Sequence, residues 1–171
     1  MVKTKNNKSL ATIIILAMCL VSALVLIVTP IMFLDYTGGN SLNLDNNYGI
    51  RAIWGWTGMF GGSFSVENYK NFTLDFNWAA YLTMLVYVVI GFTTYYIGPK
   101  KRGYYIFAAL VFVILAVMSF TMTSTWISST TSFSEYDRTV AHLGVGPWIS
   151  GFFACFSVLG CIYEFRTAKL R

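Results

Sequence analysis

The sequence predicts a membrane all-α four-helix bundle with a small extracellular antiparallel β-sheet in its first outer loop. Three observations carry this. Apolar residues make up 56% of the chain and charged residues only 11%, whereas soluble domains average about 45–50% and 25%. The apolar residues gather in four long runs almost free of charge, about residues 10–34, 78–98, 104–127 and 146–165. Between the first two runs lies a polar, glycine-rich stretch, 35–77, that alternates polar and apolar residues in several places. At 171 residues the chain is long enough for one domain.

The first run follows Lys3, Lys5 and Lys8 and carries no charge. It exceeds the ~20 residues a span needs. A cleaved signal peptide has an apolar core of only about 7–15 residues, so an uncleaved anchor is expected. Leu16-Ala17-Met18-Cys19 faintly matches a lipoprotein cleavage site, but the run continues well past Cys19. Pro30 removes a backbone donor and is expected to kink the helix near its outer end. The second run stops at Gly98-Pro99-Lys100-Lys101-Arg102-Gly103, a basic turn. The third leads into the polar connector 128–134. The fourth opens at Gly146-Pro147, with Pro147 suited to a first helical turn.

Charge orients these spans. The amino-terminal segment, the 98–103 turn and the tail hold nine of the twelve basic residues; the other flanks hold only Arg51, Lys70 and Arg138. Those other flanks hold six of the seven acids, Asp35, Asp45, Glu67, Asp75, Glu135 and Asp137. By the positive-inside rule both termini are cytoplasmic, in the plasma membrane, and 35–77 lies outside. The net charge of +5 then serves topology and anionic lipid heads. Its division among membrane flanks argues against a nucleic-acid partner. Trp78, Tyr104, Tyr105, Trp126 and Trp148 fall at span ends, as interfacial aromatics do.

Within the outer loop, residues 71–78 alternate without a break and 63–67 alternate behind Gly61-Gly62, both signs of strands. A third strand is expected at 48–56, with Ile50, Ala52, Trp54 and Trp56 on one face. Three or four such strands packed on helix ends form a stable cap, and aromatic content this high argues against disorder. The densest stretch is Trp54-Gly55-Trp56-Thr57-Gly58-Met59-Phe60-Gly61-Gly62. Trp54, Trp56, Met59 and Phe60 form the candidate partner-binding patch, since Trp is a favoured interface anchor. The competing reading is a packed plug or an anchor at the membrane interface.

The four spans, the sheet-forming first loop, the shorter second loop and this Trp-rich motif resemble the claudin and peripheral-myelin-protein superfamily. That family places a Trp and a Gly-Leu-Trp motif ahead of two loop cysteines. Ile53-Trp54-Gly55-Trp56 matches in part, without the Leu, and both loop cysteines are missing. The resemblance implies a non-enzymatic adhesion, barrier or accessory-subunit role.

No catalytic constellation stands out. Cys19, Cys155 and Cys161 all lie inside apolar runs, which argues against a disulfide framework or a dithiol oxidoreductase. His142 is the single histidine and reads as an interface residue rather than a metal ligand. Asp35 and Asp75 flank spans on the same side and more simply end apolar runs than pair as an aspartyl protease. Glu164 is expected to be a solvated interfacial charge near Arg166. Asn71-Phe72-Thr73 matches a glycosylation acceptor. No enzyme, cofactor or metal is expected. Small residues Gly146, Ser150, Ala154, Ser157 and Cys161 recur on one helical face of the fourth run, and Ala109, Ala116, Ser119 and Thr123 on one face of the third. Small ridges permit close helix packing in lipid, so both are expected to face into the bundle. The expected partners are membrane lipids and a membrane protein or further copies of this chain. The alternative is a small oligomeric transporter or channel lined by Thr83, Thr93, Thr94, Thr121 and Thr123.

Overall fold

The computed structural model describes residues 9–37, 48–66, 69–74, 76–123 and 139–167. Helix α1 spans Leu10–Val28, α3 Trp78–Ile97, α4 Tyr104–Phe120 and α5 Val145–Thr167, with a short α2 at Gly55–Phe60. The strands are β1 Pro30–Thr37, β2 Tyr48–Trp54, β3 Gly62–Val66, β4 Tyr69–Leu74 and β5 Thr139–Leu143. Among the described residues three helices, α1, α3 and α5, are long and apolar enough to cross a membrane; α4 is a shorter apolar helix. Large side chains such as Leu24, Val89, Leu110, Val117 and Leu159 are exposed around all four. Such a coat is unstable in water and stable in hydrocarbon, so this is a membrane protein.

α1 ends well before its apolar run does. Ser9 caps its start, accepting from the Thr12 N–H at 3.2 Å. At the other end the Thr29 hydroxyl donates back to Val25 O at 2.7 Å, and Thr29 is extended at φ −112°. A residue before proline is driven out of the helical region, and Pro30 cannot donate to a further helical bond. Pro30 therefore does not kink the helix. It ends the helix and starts β1, so the expected span 10–34 is cut at Val28 and residues 30–34 are strand. Ile31 and Met32 are each 1% exposed and close the bundle at this end. The third run is likewise shorter in helix than 104–127, turning at Thr121; residues 124–127 lie outside the described part.

The sheet differs from the one expected within 35–77. β1 is its centre, pairing antiparallel with β2 (Pro30↔Trp54 to Thr37↔Tyr48) and with β5 (Met32↔Leu143 to Tyr36↔Thr139). β3 and β4 form a separate hairpin, Gly62↔Leu74 to Val66↔Tyr69. The second loop thus supplies a strand to the main sheet, and β1 comes from the apolar run. Two expected strands also end early. Trp56 belongs to α2 rather than to a strand face, and Trp78 opens α3, capped by Asn77 Oδ1 accepting from Ala80 N–H at 3.1 Å. β5 joins α5 through Gly144, whose N–H donates to Ile31 O at 2.9 Å. A Cβ on Gly144 would lie 2.2 Å from Pro30 O, so only glycine allows this crossing.

α5 packs on α4 and α1, α1 on α3, and α3 on α4. Gly146, Ser150, Ala154, Ser157 and Cys161 are all buried. Their small size brings α5 close to α1: Ser150 Oγ lies 3.2 Å from Ser22 O, and a Cβ on Gly146 would sit 2.6 Å from Thr29 Oγ1. On α4 the buried face is Tyr105, Ala108, Phe112, Leu115, Ala116 and Ser119. Of the ridge expected there, Ala116 and Ser119 are buried, whereas Ala109 and Thr123 are only half-buried. The inward face of α4 mixes the large Tyr105, Phe112 and Leu115 with the small Ala108, Ala116 and Ser119; on α5, Gly151 lets the Phe120 ring come close, since a Cβ there would meet it at 2.6 Å.

Candidate functional site

The densest aromatic stretch folds into a ledge at the sheet end of the bundle. β2 delivers Trp54 beside Pro30, and the Gly55 N–H donates to Thr29 O at 2.9 Å. α2 therefore sits directly on the end of α1. A Cβ on Gly55 would fall 1.8 Å from Leu26 O, and one on Gly58 would fall 2.2 Å from Ile31 Cδ1. These two glycines let the short helix lie flat. Met59 projects down from it and is fully buried, which removes it from the expected binding patch and makes it part of the floor. The other three expected residues face out: Trp54 is 55% exposed, Trp56 61% and Phe60 37%.

Residues beyond the motif complete the ledge. The Trp56 and Phe60 rings lie 4.4 Å apart. Phe60 reaches Tyr81 at 5.7 Å and Phe76 at 6.0 Å. Phe76 in turn meets Trp78 at 4.6 Å. Tilted and edge-on rings at such spacings attract through their quadrupoles. Met59 O accepts from the Asn77 N–H at 2.9 Å, which ties α2 to the start of α3. Phe76 and Tyr81 escaped the sequence reading because Phe76 sat in an alternating pattern and Tyr81 in an apolar run. A second cluster, Phe120, Trp148 and Phe152, lies at the same end of the bundle on α4 and α5, with Trp148 stacked on Phe152 at 5.8 Å.

Among the described residues the core holds two separate polar clusters. In the half nearer the sheet, Tyr87 OH donates to Ser150 O at 2.8 Å, so Ser119 Oγ, 3.0 Å away, donates to Tyr87. At the basic end stands Glu164, which is 3% exposed. This corrects the expectation of a solvated charge beside Arg166. Its carboxylate accepts from Ser9 Oγ. Ser9 has one proton, so it accepts from Thr12 Oγ1 at 3.0 Å, and Thr12 accepts from Tyr105 OH at 3.2 Å. The result is a relay of hydroxyls from α4 through α1 to α5.

The threonines proposed to line a path do not form one surface. Thr83 and Thr94 are buried and Thr121 is exposed. Thr83, Thr93 and Thr121 donate to their own helix carbonyls at 2.7–2.8 Å. His142 lies on β5 and is exposed. Asp35 lies on β1 opposite Ile50, while Asp75 falls outside the described residues. Cys19 and Cys161 are buried, Cys155 is exposed, and all three are free thiols. Among the described residues no three His, Cys, Asp or Glu side chains cluster as metal ligands. The chain matches no protein-family model, no curated protein and no solved structure.

Proposed function

We propose that this chain is a non-enzymatic four-span protein of the plasma membrane, an accessory, assembly or adhesion-type subunit that binds a membrane-protein partner through its outer cap. The basic end is cytoplasmic and the sheet end extracellular, a reading supported by the sorting of lysine and arginine to one side. α4 serves as the fourth span; its 17 residues are at the lower limit of the ~17–25 that cross a bilayer. The four-span layout and Ile53-Trp54-Gly55-Trp56 give the same direction through their resemblance to the claudin superfamily.

One observation carries the reading. Trp54, Trp56 and Phe60 are held exposed above a rigid floor of Gly55, Gly58 and Met59. Preorganised aromatic side chains lose little entropy on binding and serve as hot spots. A second reading is favoured by Trp78 and Trp148, 67% and 47% exposed at the same end. Together with the ledge they form a belt that seats the cap in the outer membrane interface.

Purification in mild detergent, with and without the double variant Trp54→Ala/Trp56→Ala, separates the two. We expect the native chain to carry a stoichiometric membrane-protein partner that the variant loses while remaining folded and monodisperse. Retention of the partner by the variant, with weaker quenching of the remaining tryptophans by brominated lipid, favours the interfacial anchor instead. Homo-oligomers that pass ions in liposomes contradict both and return the transporter alternative.

A further inference from the structure

The geometry points to a headgroup site for an anionic phospholipid at the basic end of the bundle, built around Arg102. This residue lies in the turn between α3 and α4, yet its side chain is fixed. Its Nε–H donates to Phe165 O at 2.7 Å, and its guanidinium carbon lies 4.1 Å above the Phe165 ring. Of its five N–H donors, these contacts use the one on Nε. Among the described residues the two Nη groups carry no hydrogen bond and remain as a fork of the kind that grips phosphate oxygens.

The surroundings are cationic without compensation. Lys100 and Lys101 precede Arg102 and are exposed, and Arg166, next to Phe165, is exposed too. Among the described residues, Glu164 is the one acid at this end of the bundle. It is turned inward, accepts from Ser9 and, among the described residues, makes no ion pair with these cations. A soluble anion satisfies the fork alone. A phospholipid also covers the apolar surface beside it: Ile106 and Phe107 on α4 and Ile162 and Tyr163 on α5 are 43–57% exposed, just inside the membrane from the four cations. The acyl chains run along these exposed side chains while the phosphate meets the fork. The site is independent of the aromatic ledge and of any protein partner there.

Native mass spectrometry of the full chain in mild detergent, given equimolar phosphatidylglycerol and phosphatidylcholine, tests this. We expect the native chain to retain phosphatidylglycerol preferentially. Arg102→Gln should lower that retention about fivefold or more, the effect of one cation near an anionic surface. The triple variant Lys100→Gln/Lys101→Gln/Arg166→Gln keeps the Arg102–Phe165 contact and should lower retention by about fivefold for each charge removed. If Arg102→Gln fails to fold, the triple variant decides. Equal retention of the two lipids by the native chain, or undiminished phosphatidylglycerol on the triple variant, overturns the site and leaves Arg102 a staple between turn and helix. Displacement of the lipid by millimolar inorganic phosphate also overturns it, because the fork then serves a free anion.

Discussion

Burying the Glu164 carboxylate requires compensation, and α1 supplies it twice. The Ser9 hydroxyl donates to the carboxylate, and the amino end of α1, with its free N–H groups and positive dipole end, lies against it. An unpaired buried acceptor costs about 1–3 kcal/mol, and more when charged. Ser9→Ala should therefore lower the melting temperature in detergent clearly, by the equivalent of at least about 1 kcal/mol. Glu164→Gln, which keeps an acceptor for Ser9, should cost less. The reverse order would show that the hydroxyl relay is not what holds the carboxylate. Tyr87 is the parallel case in the other half of the bundle. Tyr87→Phe removes the second bond to Ser150 O, which keeps its place in the helix, and takes from Ser119 Oγ its partner; by analogy with other membrane helices this should cost about 0.6–1.7 kcal/mol.

Helices α1, α2 and α5 are joined by close backbone approaches. α5 reaches α1 along Gly146, Ser150, Ala154 and Ser157, and α2 rests on α1 through Gly55. In lipid, apolar surface gives helices little reason to associate, so packing at such short range carries more of the stability. Ala154→Leu should thus give a misfolded or aggregated chain by size-exclusion chromatography, whereas Leu159→Ala on the exposed face should elute normally. Gly55→Ala forces its Cβ onto Leu26 O and should detach α2. The readout is a shift of tryptophan emission from Trp54 and Trp56, with the helical content measured by circular dichroism unchanged. The small ridge on α5 was legible in the sequence because size and helical spacing are local properties. The burial of Tyr105, Phe112 and Leu115 on α4 was not, since all three stand in a uniformly apolar run and only packing against other helices selects the face that turns inward.

In the assembled chain, β1 continues α1 and β5 leads into α5, so the sheet joins two neighbouring spans at one end. The Ser9–Glu164 bond joins the same two helices at the other. α1 and α5 are therefore fastened at both ends, and the cap cannot tilt without moving them. Membrane-impermeant labelling of intact cells should reach a cysteine placed at Trp56 and not one placed at Lys101; the opposite pattern inverts the protein and removes the partner-binding proposal.

Composition and spacing alone were enough for the membrane class, the apolar runs and the sorting of charge along the chain, because each depends on residues close together in the chain; whether Trp54 and Trp56 are exposed or packed was left open and is decided by the fold. Four further features had to wait for the folded bundle. Residues 30–34 are strand although they are apolar enough for helix, since Pro30 stops α1 and two distant strands pair with the segment it opens. Thr139–Leu143 gains its strand only from β1. Met59 is floor rather than surface because α1 lies beneath it. Glu164 is buried because Ser9, 155 positions away, meets it. Hydropathy records a residue's preference for lipid or water, but a pairing partner or a burying neighbour is contributed by remote chain, and only the packed structure brings it near.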